Sequence, residues 1–135
     1  MRTEILNALF AKLSSIESIK EVYKFTAGNF TNYPVALIVG SENVSEREST
    51  NHIKKTYTFK VRILQEVNEE ARGKEDGEDI INKVFDDIDN AIDMDDTLGG
   101  SCDDVNIRSV FAWEDRELLM RAVDIDITCV KLKQF

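Results

Sequence analysis

Residues 53–67 read IKKTYTFKVRILQEV, and their alternation decides the fold class. Lys55, Tyr57, Phe59, Val61 and Ile63 share one face of an extended chain, and Thr56, Thr58, Lys60 and Arg62 share the other. This period of two, rich in β-branched and aromatic residues, predicts a strand with one buried and one polar face. At about 3.3 Å per residue, Ile53 to Glu66 would extend about 46 Å, more than the roughly 37 Å diameter of a compact chain of this length. Either the strand bends or its end leaves the body and exposes sheet edges.

Upstream, Thr3 can cap a helix over residues 3–17, because Leu6, Leu9, Phe10, Leu13 and Ile16 draw one apolar stripe. Val22 to Phe25 predicts a short strand, and TAGNFTNYP (26–34) a loop. Pro34 opens a second strand, Val35 to Val39, apolar enough for burial on both faces. Residues 40–51 are polar apart from Val44 and predict a loop or hairpin tip; the segment 40–52 is the candidate projection from a single domain spanning 1–135.

Downstream, Glu69 to Glu78 is a charged, glycine-containing break. From about Gly77 to Met94, Ile81, Val84, Phe85, Ile88 and Ile92 fall on one helical face, with Asp86, Asp87, Asp89 and Asp93 on the flanks and back. Thr97 to Asp104 predicts a turn around Gly99-Gly100. Val105–Trp113 and Leu118–Leu132 predict a hairpin around Glu114-Asp115-Arg116-Glu117, with Val123, Ile125, Ile127 and Cys129 inward. The order is therefore α-β-β-β-α-β-β. About five mostly antiparallel strands under two amphipathic helices make a two-layer α+β sandwich.

The 135 residues carry 26 acids and 17 bases, a formal charge of -9. Between Glu66 and Asp104 stand 15 acids and three bases, a net of −12; the rest of the chain is +3. Such asymmetry marks a solvated face or a surface turned toward a particular partner. The overall sign argues against nucleic acid as a general ligand. No run of about 18 apolar residues is present to span a membrane. The opening MRTEILNALF lacks the pattern of a signal peptide. Cys102 and Cys129 form no C-x-x-C pair, and His52 is the single histidine, so free thiols in a reducing setting are expected.

Asp93-Met94-Asp95-Asp96-Thr97 matches D-x-D-x-T, the pattern of magnesium-dependent phosphatases, in which the first Asp is the nucleophile and the second a general acid. That chemistry needs the motif at the C-terminal end of a buried parallel strand, whereas DDIDNAI before it reads as a helix. The same stretch imitates a calcium loop with Asp93, Asp95, Thr97 and Asp104 at positions 1, 3, 5 and 12, but Leu98 stands where Gly is needed. The default is a solvated acidic helix end. Its aspartates oppose the helix dipole, a conflict that a basic neighbour or a bound cation would relieve. His52 has no partners for a catalytic triad. The residues therefore predict neither catalysis nor a resident cofactor or metal.

With these elements placed, the chain resembles the tail terminator (tail completion) proteins of long-tailed bacteriophages and prophages. The resemblance runs through ILNALFAKL (5–13), NFTNYPVALIVGSEN (29–43), TYTFKVRIL (56–64), IINKVFDDIDNAID (80–93), DTLGG (96–100) and RAVDIDITCVKL (121–132). It implies a structural protein that forms a ring, commonly a hexamer, on the head-proximal end of the tail tube. Such a ring ends tube polymerisation and offers the surface that joins the head. The implied partners are further copies of the chain, the tail tube protein and a head-tail connector protein. The implied place is the virion tail, after assembly in the host cytoplasm, and free subunits can be monomers. A head-tail connector (neck) protein is the alternative of the same kind.

The residues suggest where contacts lie. Glu42, Glu46, Arg47 and Glu48 in the polar segment, and Trp113 at the last hairpin, are candidate partner-binding positions. Asp86, Asp89 and Asp93 are candidates to line the channel, since DNA must pass such a ring without binding to it.

Overall fold

The computed structural model describes residues 2–24, 33–47, 51–66, 71–115 and 120–134, with the side chains of residues 41, 71–78, 115 and 134 outside that description. The elements are α1 (Arg2–Ser14), β1 (Glu21–Tyr23), β2 (Val35–Arg47), β3 (His52–Glu66), α2 (Ala71–Met94), β4 (Asp104–Asp115) and β5 (Met120–Gln134). The strand read from residues 53–67 is the middle strand of a five-stranded sheet ordered β1-β2-β3-β5-β4. Only β1 and β2 run parallel; the other neighbours are antiparallel. The two-layer α+β architecture and the order of its elements are those expected from the sequence.

Residues paired directly across strands share a face, so the register sorts the side chains. On the inner face, Ala36, Ile38, Phe59, Val61, Ile63, Val123, Ile125 and Ile127 join one core cluster. Ile5, Leu9 and Leu13 of α1 and Ile81, Val84, Ile88 and Ile92 of α2 close that cluster from the helix side. Phe59, Val84, Ile88 and Ile125 are fully buried. The outer face holds Val35, Leu37 and Ala122, also buried, and then turns polar through Arg62, Lys60, Asp124 and Asp126.

Four boundaries differ from expectation. Residues 40–47 are strand, not loop: β2 pairs with β3 from Gly40–Lys60 to Arg47–Ile53. The register slips once, between Ile38 and Gly40, which makes Val39 the extra residue of a bulge. The polar sequence is compatible because β1 covers only Val35 to Leu37, leaving the rest of β2 as a solvated edge. Secondly, α2 begins at Ala71, so much of the charged break is helix. Gly73 and Gly77 cost about 1 kcal/mol each in a helix interior, which the apolar register downstream outweighs. Thirdly, α1 stops at Ser14; Ile16 remains buried because tight turns follow, with Ser15 N–H donating to Ala11 O at 3.1 Å and Ile16 N–H to Leu13 O at 3.2 Å. Of the turn predicted at 114–117, Glu114 and Asp115 are strand instead, since β4 runs to Asp115; residues 116 and 117 lie outside the described residues.

Candidate functional site

The inner-face burial stops at the row Asn43–Tyr57–Cys129. Beyond it β2, β3 and β5 continue as three strands, because β4 joins only at Asp104–Val130. Two rows follow on the inner face: Ser45–Lys55–Lys131, then Arg47–Ile53–Lys133. The outer face alternates with Val44–Thr56–Val130 and Glu46–Lys54–Leu132. Glu42, Glu46 and Arg47 are all exposed here, as are Val44 and Leu132; Glu48 lies outside the described residues. The polarity of this segment marks it in the sequence. It does not reveal that three strands bring cations from each of them onto one side.

Trp113 is half-buried on the outer face, where it closes over Arg62. The guanidinium carbon lies 5.1 Å from the ring centre. Arg62 grips Asp124 with two hydrogen bonds, Nε to Oδ1 at 2.8 Å and Nη2 to Oδ2 at 3.1 Å. The bond to Asp124 raises the arginine pKa above its ordinary value, so the guanidinium keeps its charge. The neighbouring exposed aromatic is Phe111, at 66%. Beside the clasp a shallow hollow of about 420 Å³ crosses the outer face, lined by Glu42, Thr58, Lys60, Arg62, Arg108 and Asp126. Arg108 reaches it as the extra residue of a second bulge, between Ile107 and Ser109.

On α2 the acids divide by partner. Asp87 accepts from Ser18 Oγ at 2.6 Å and pairs with Lys83 at 3.5 Å. Asp79, Asp86 and Asp93, seven residues apart, form a stripe on the solvent side with Asp89 at its flank. None of the four makes an ion pair among the described residues. The structure thus brings together the three acids singled out from the sequence and adds Asp79 to them.

The D-x-D-x-T stretch is a helix stop. Asp93 ends on exposed helix, not after a parallel strand. Asp95 accepts the Gly99 N–H at 3.0 and 3.1 Å and pairs with Lys12 of α1 at 2.9 Å. These contacts, the Gly99 N–H first, hold its carboxyl below the usual range. Thr97 Oγ1 accepts from the Gly100 N–H at 3.2 Å. Leu98 takes φ 48° to seat its side chain in the core, and Gly99 and Gly100 follow at 67° and 89°, where glycine is at ease. Asp95 is therefore engaged as a cap, with its carboxylate turned to Gly99 and Lys12. Lys12 is the basic neighbour that the helix dipole calls for. Among the described residues no group of three His, Cys, Asp or Glu side chains is placed to hold a metal ion.

Cys102 and Cys129 are free and buried. Burial pushes both thiols up, and Cys102 donates to Thr97 O at 3.5 Å. Among the described residues no helix is long and apolar enough to cross a membrane.

No family model and no curated protein matches the chain. Among solved structures, its fold is shared with a chain in the structure titled "Virion of native gene transfer agent (GTA) particle". The TM-score is 0.53 at 12% identity, over 90% of this chain and 82% of that one. At that identity the likeness shows a common fold.

Proposed function

We propose that the protein is a structural component of a phage-type virion that caps the head-proximal end of the tail tube. It forms a ring there, commonly of six copies, ends tube polymerisation and presents the surface that a head-tail connector protein meets. The observation that carries this reading is the fold shared with a virion chain over 90% of the sequence. The three-stranded end of the sheet adds to it, because exposed strands past the core suit contact with a neighbour or with the tube. Head-to-tail contacts that close on themselves make a ring. In such a ring the Asp79–Asp93 stripe has three places open to it: the DNA passage, the contact between subunits and the outer rim. The assembly site is the host cytoplasm and the final one the virion tail.

Tail tubes grown from purified tube protein test the cap. Added at substoichiometric amounts, the protein should arrest tube growth and appear in electron micrographs as density at one end only. Tubes that lengthen unchanged would refute the cap. Binding to a portal or neck complex without any effect on tubes would move the assignment to a connector protein.

A further inference from the structure

The inner face of the sheet end is a cluster of like charges. Lys55 of β3 and Lys131 of β5 are directly opposite, Lys133 stands two residues along from Lys131, and Arg47 lies in the same row as Lys133. Directly opposed like charges destabilise a sheet. The other members of these two rows, Ser45 and Ile53, carry no charge. No ion pair to any of the four cations exists among the described residues. The outer face is different, for there Lys54 is opposite Glu46. The nearby Asp103 is engaged with backbone, accepting the Leu132 N–H at 2.6 Å. The fold thus holds four cations in an arrangement that an anionic partner would relieve.

The chain itself carries a surface that fits. Arg47 and Lys131 or Lys133 are two strands apart, about 10 Å at the usual inter-strand spacing. Asp86 and Asp93 are seven helical residues apart, also about 10 Å at 1.5 Å rise per residue. Asp79 extends the acidic surface toward the start of α2, and Asp89, between the two, lies at its flank. The two surfaces are commensurate and opposite in sign, and each lacks an ion-pair partner within the described residues. DNA is the less suitable occupant, because a chain of net charge -9 repels it overall.

We propose that Arg47, Lys55, Lys131 and Lys133 of one copy dock on the Asp79–Asp86–Asp89–Asp93 face of α2 in a second copy. The two surfaces are different parts of the subunit, so the contact is either made twice in a two-fold pair or repeated head to tail, and a ring requires the second. Only this repetition rests on the ring reading above; the pairwise contact does not. It places the acidic stripe between subunits and not on the DNA passage.

Zero-length carbodiimide cross-linking tests the contact, since that reagent joins only lysines and carboxylates in direct proximity. An equal mixture of isotopically heavy and light chains at high concentration and low salt should give heavy–light cross-links from Lys55, Lys131 or Lys133 to the four α2 aspartates. They should vanish at about 1 M salt, where the Debye length is about 3 Å. Lys131→Glu separates docking from folding. It sets a carboxylate directly opposite Lys55 in place of a second ammonium, so the unfolding midpoint should rise while the cross-links from Lys55 and Lys133 disappear. Heavy–light cross-links that are absent, lie elsewhere or persist in Lys131→Glu would overturn the proposal. So would a lowered midpoint in that variant, or capture of a labelled DNA duplex through these lysines at physiological salt. If cross-links form as expected but tubes are not capped, the docking stands and the tail-cap reading falls. If tubes are capped by Lys131→Glu as well as by the unaltered chain, the head-to-tail repetition of this contact in the ring falls and the cap stands.

Discussion

Asp95 shows how one side chain can settle the meaning of a motif. In sequence it is the second acid of D-x-D-x-T; in the fold it ties the end of α2 to α1 through Gly99 N–H and Lys12. Both contacts favour the ionised carboxyl, so its folded pKa lies below the ordinary 3.8. A carboxyl with a depressed folded pKa stabilises fully above its unfolded value and ceases to do so as pH falls through the folded one. Asp95→Asn keeps one acceptor for Gly99 but loses the charge that Lys12 meets. It should therefore lower the urea midpoint at neutral pH. The gap to the unaltered protein should close as pH drops below 3.8. A gap that stays constant with pH would mean that the amide changes packing and not charge.

At the scale of elements, α2 is held by one face alone. Ile88 is fully buried on it, whereas Ile80 is 37% exposed at the margin. Ile88→Ala should cost about 2–5 kcal/mol and Ile80→Ala about 0.5 kcal/mol or less, measured by urea unfolding with unchanged slope. That face was legible from the sequence because 3.6-residue spacing is a property of one segment. So were the alternation of β3 and the run of β5, each visible within about ten residues. The polar half of β2 was not, because Gly40 to Arg47 is strand only by virtue of its bonds to β3. The first turns of α2 were hidden by their charge and glycines, and β1, legible as a short strand, gave no sign of its parallel pairing with β2. The candidate site divides along this line. Asp86, Asp89 and Asp93 could be grouped from helical spacing, but the meeting of Lys55 with Lys131 depends on a register spanning 76 residues of chain. The Arg62–Asp124 clasp under Trp113 likewise joins three strands and leaves no local signal.

For the whole molecule, charge acts in opposite directions on folding and on association. Within one subunit the unpaired clusters are repulsive: the aspartates along α2, the cations at the sheet end, of which Arg47 and Lys133 are exposed and Lys55 and Lys131 half-buried, and the net charge of -9. The attractive pairs are fewer among the described residues and partly buried; side-chain exposure is 32% and 12% for Arg62–Asp124 and 27% for each partner of Lys12–Asp95. Salt screens exposed charges more than buried ones, with a Debye length of about 8 Å at 0.15 M. Sodium chloride raised from a few millimolar to that level should therefore increase the stability of the isolated subunit in urea. The same change should weaken self-association, because between copies the exposed clusters attract. Urea midpoints of dilute protein and sedimentation of concentrated protein, followed along one salt series, should move in opposite senses. If both fall together, the internal ion pairs outweigh the repulsion and the subunit is not under the electrostatic stress that favours a partner. If both rise, association is driven by apolar contact, for which Val44, Leu132 and Phe111 are the exposed residues at the sheet ends.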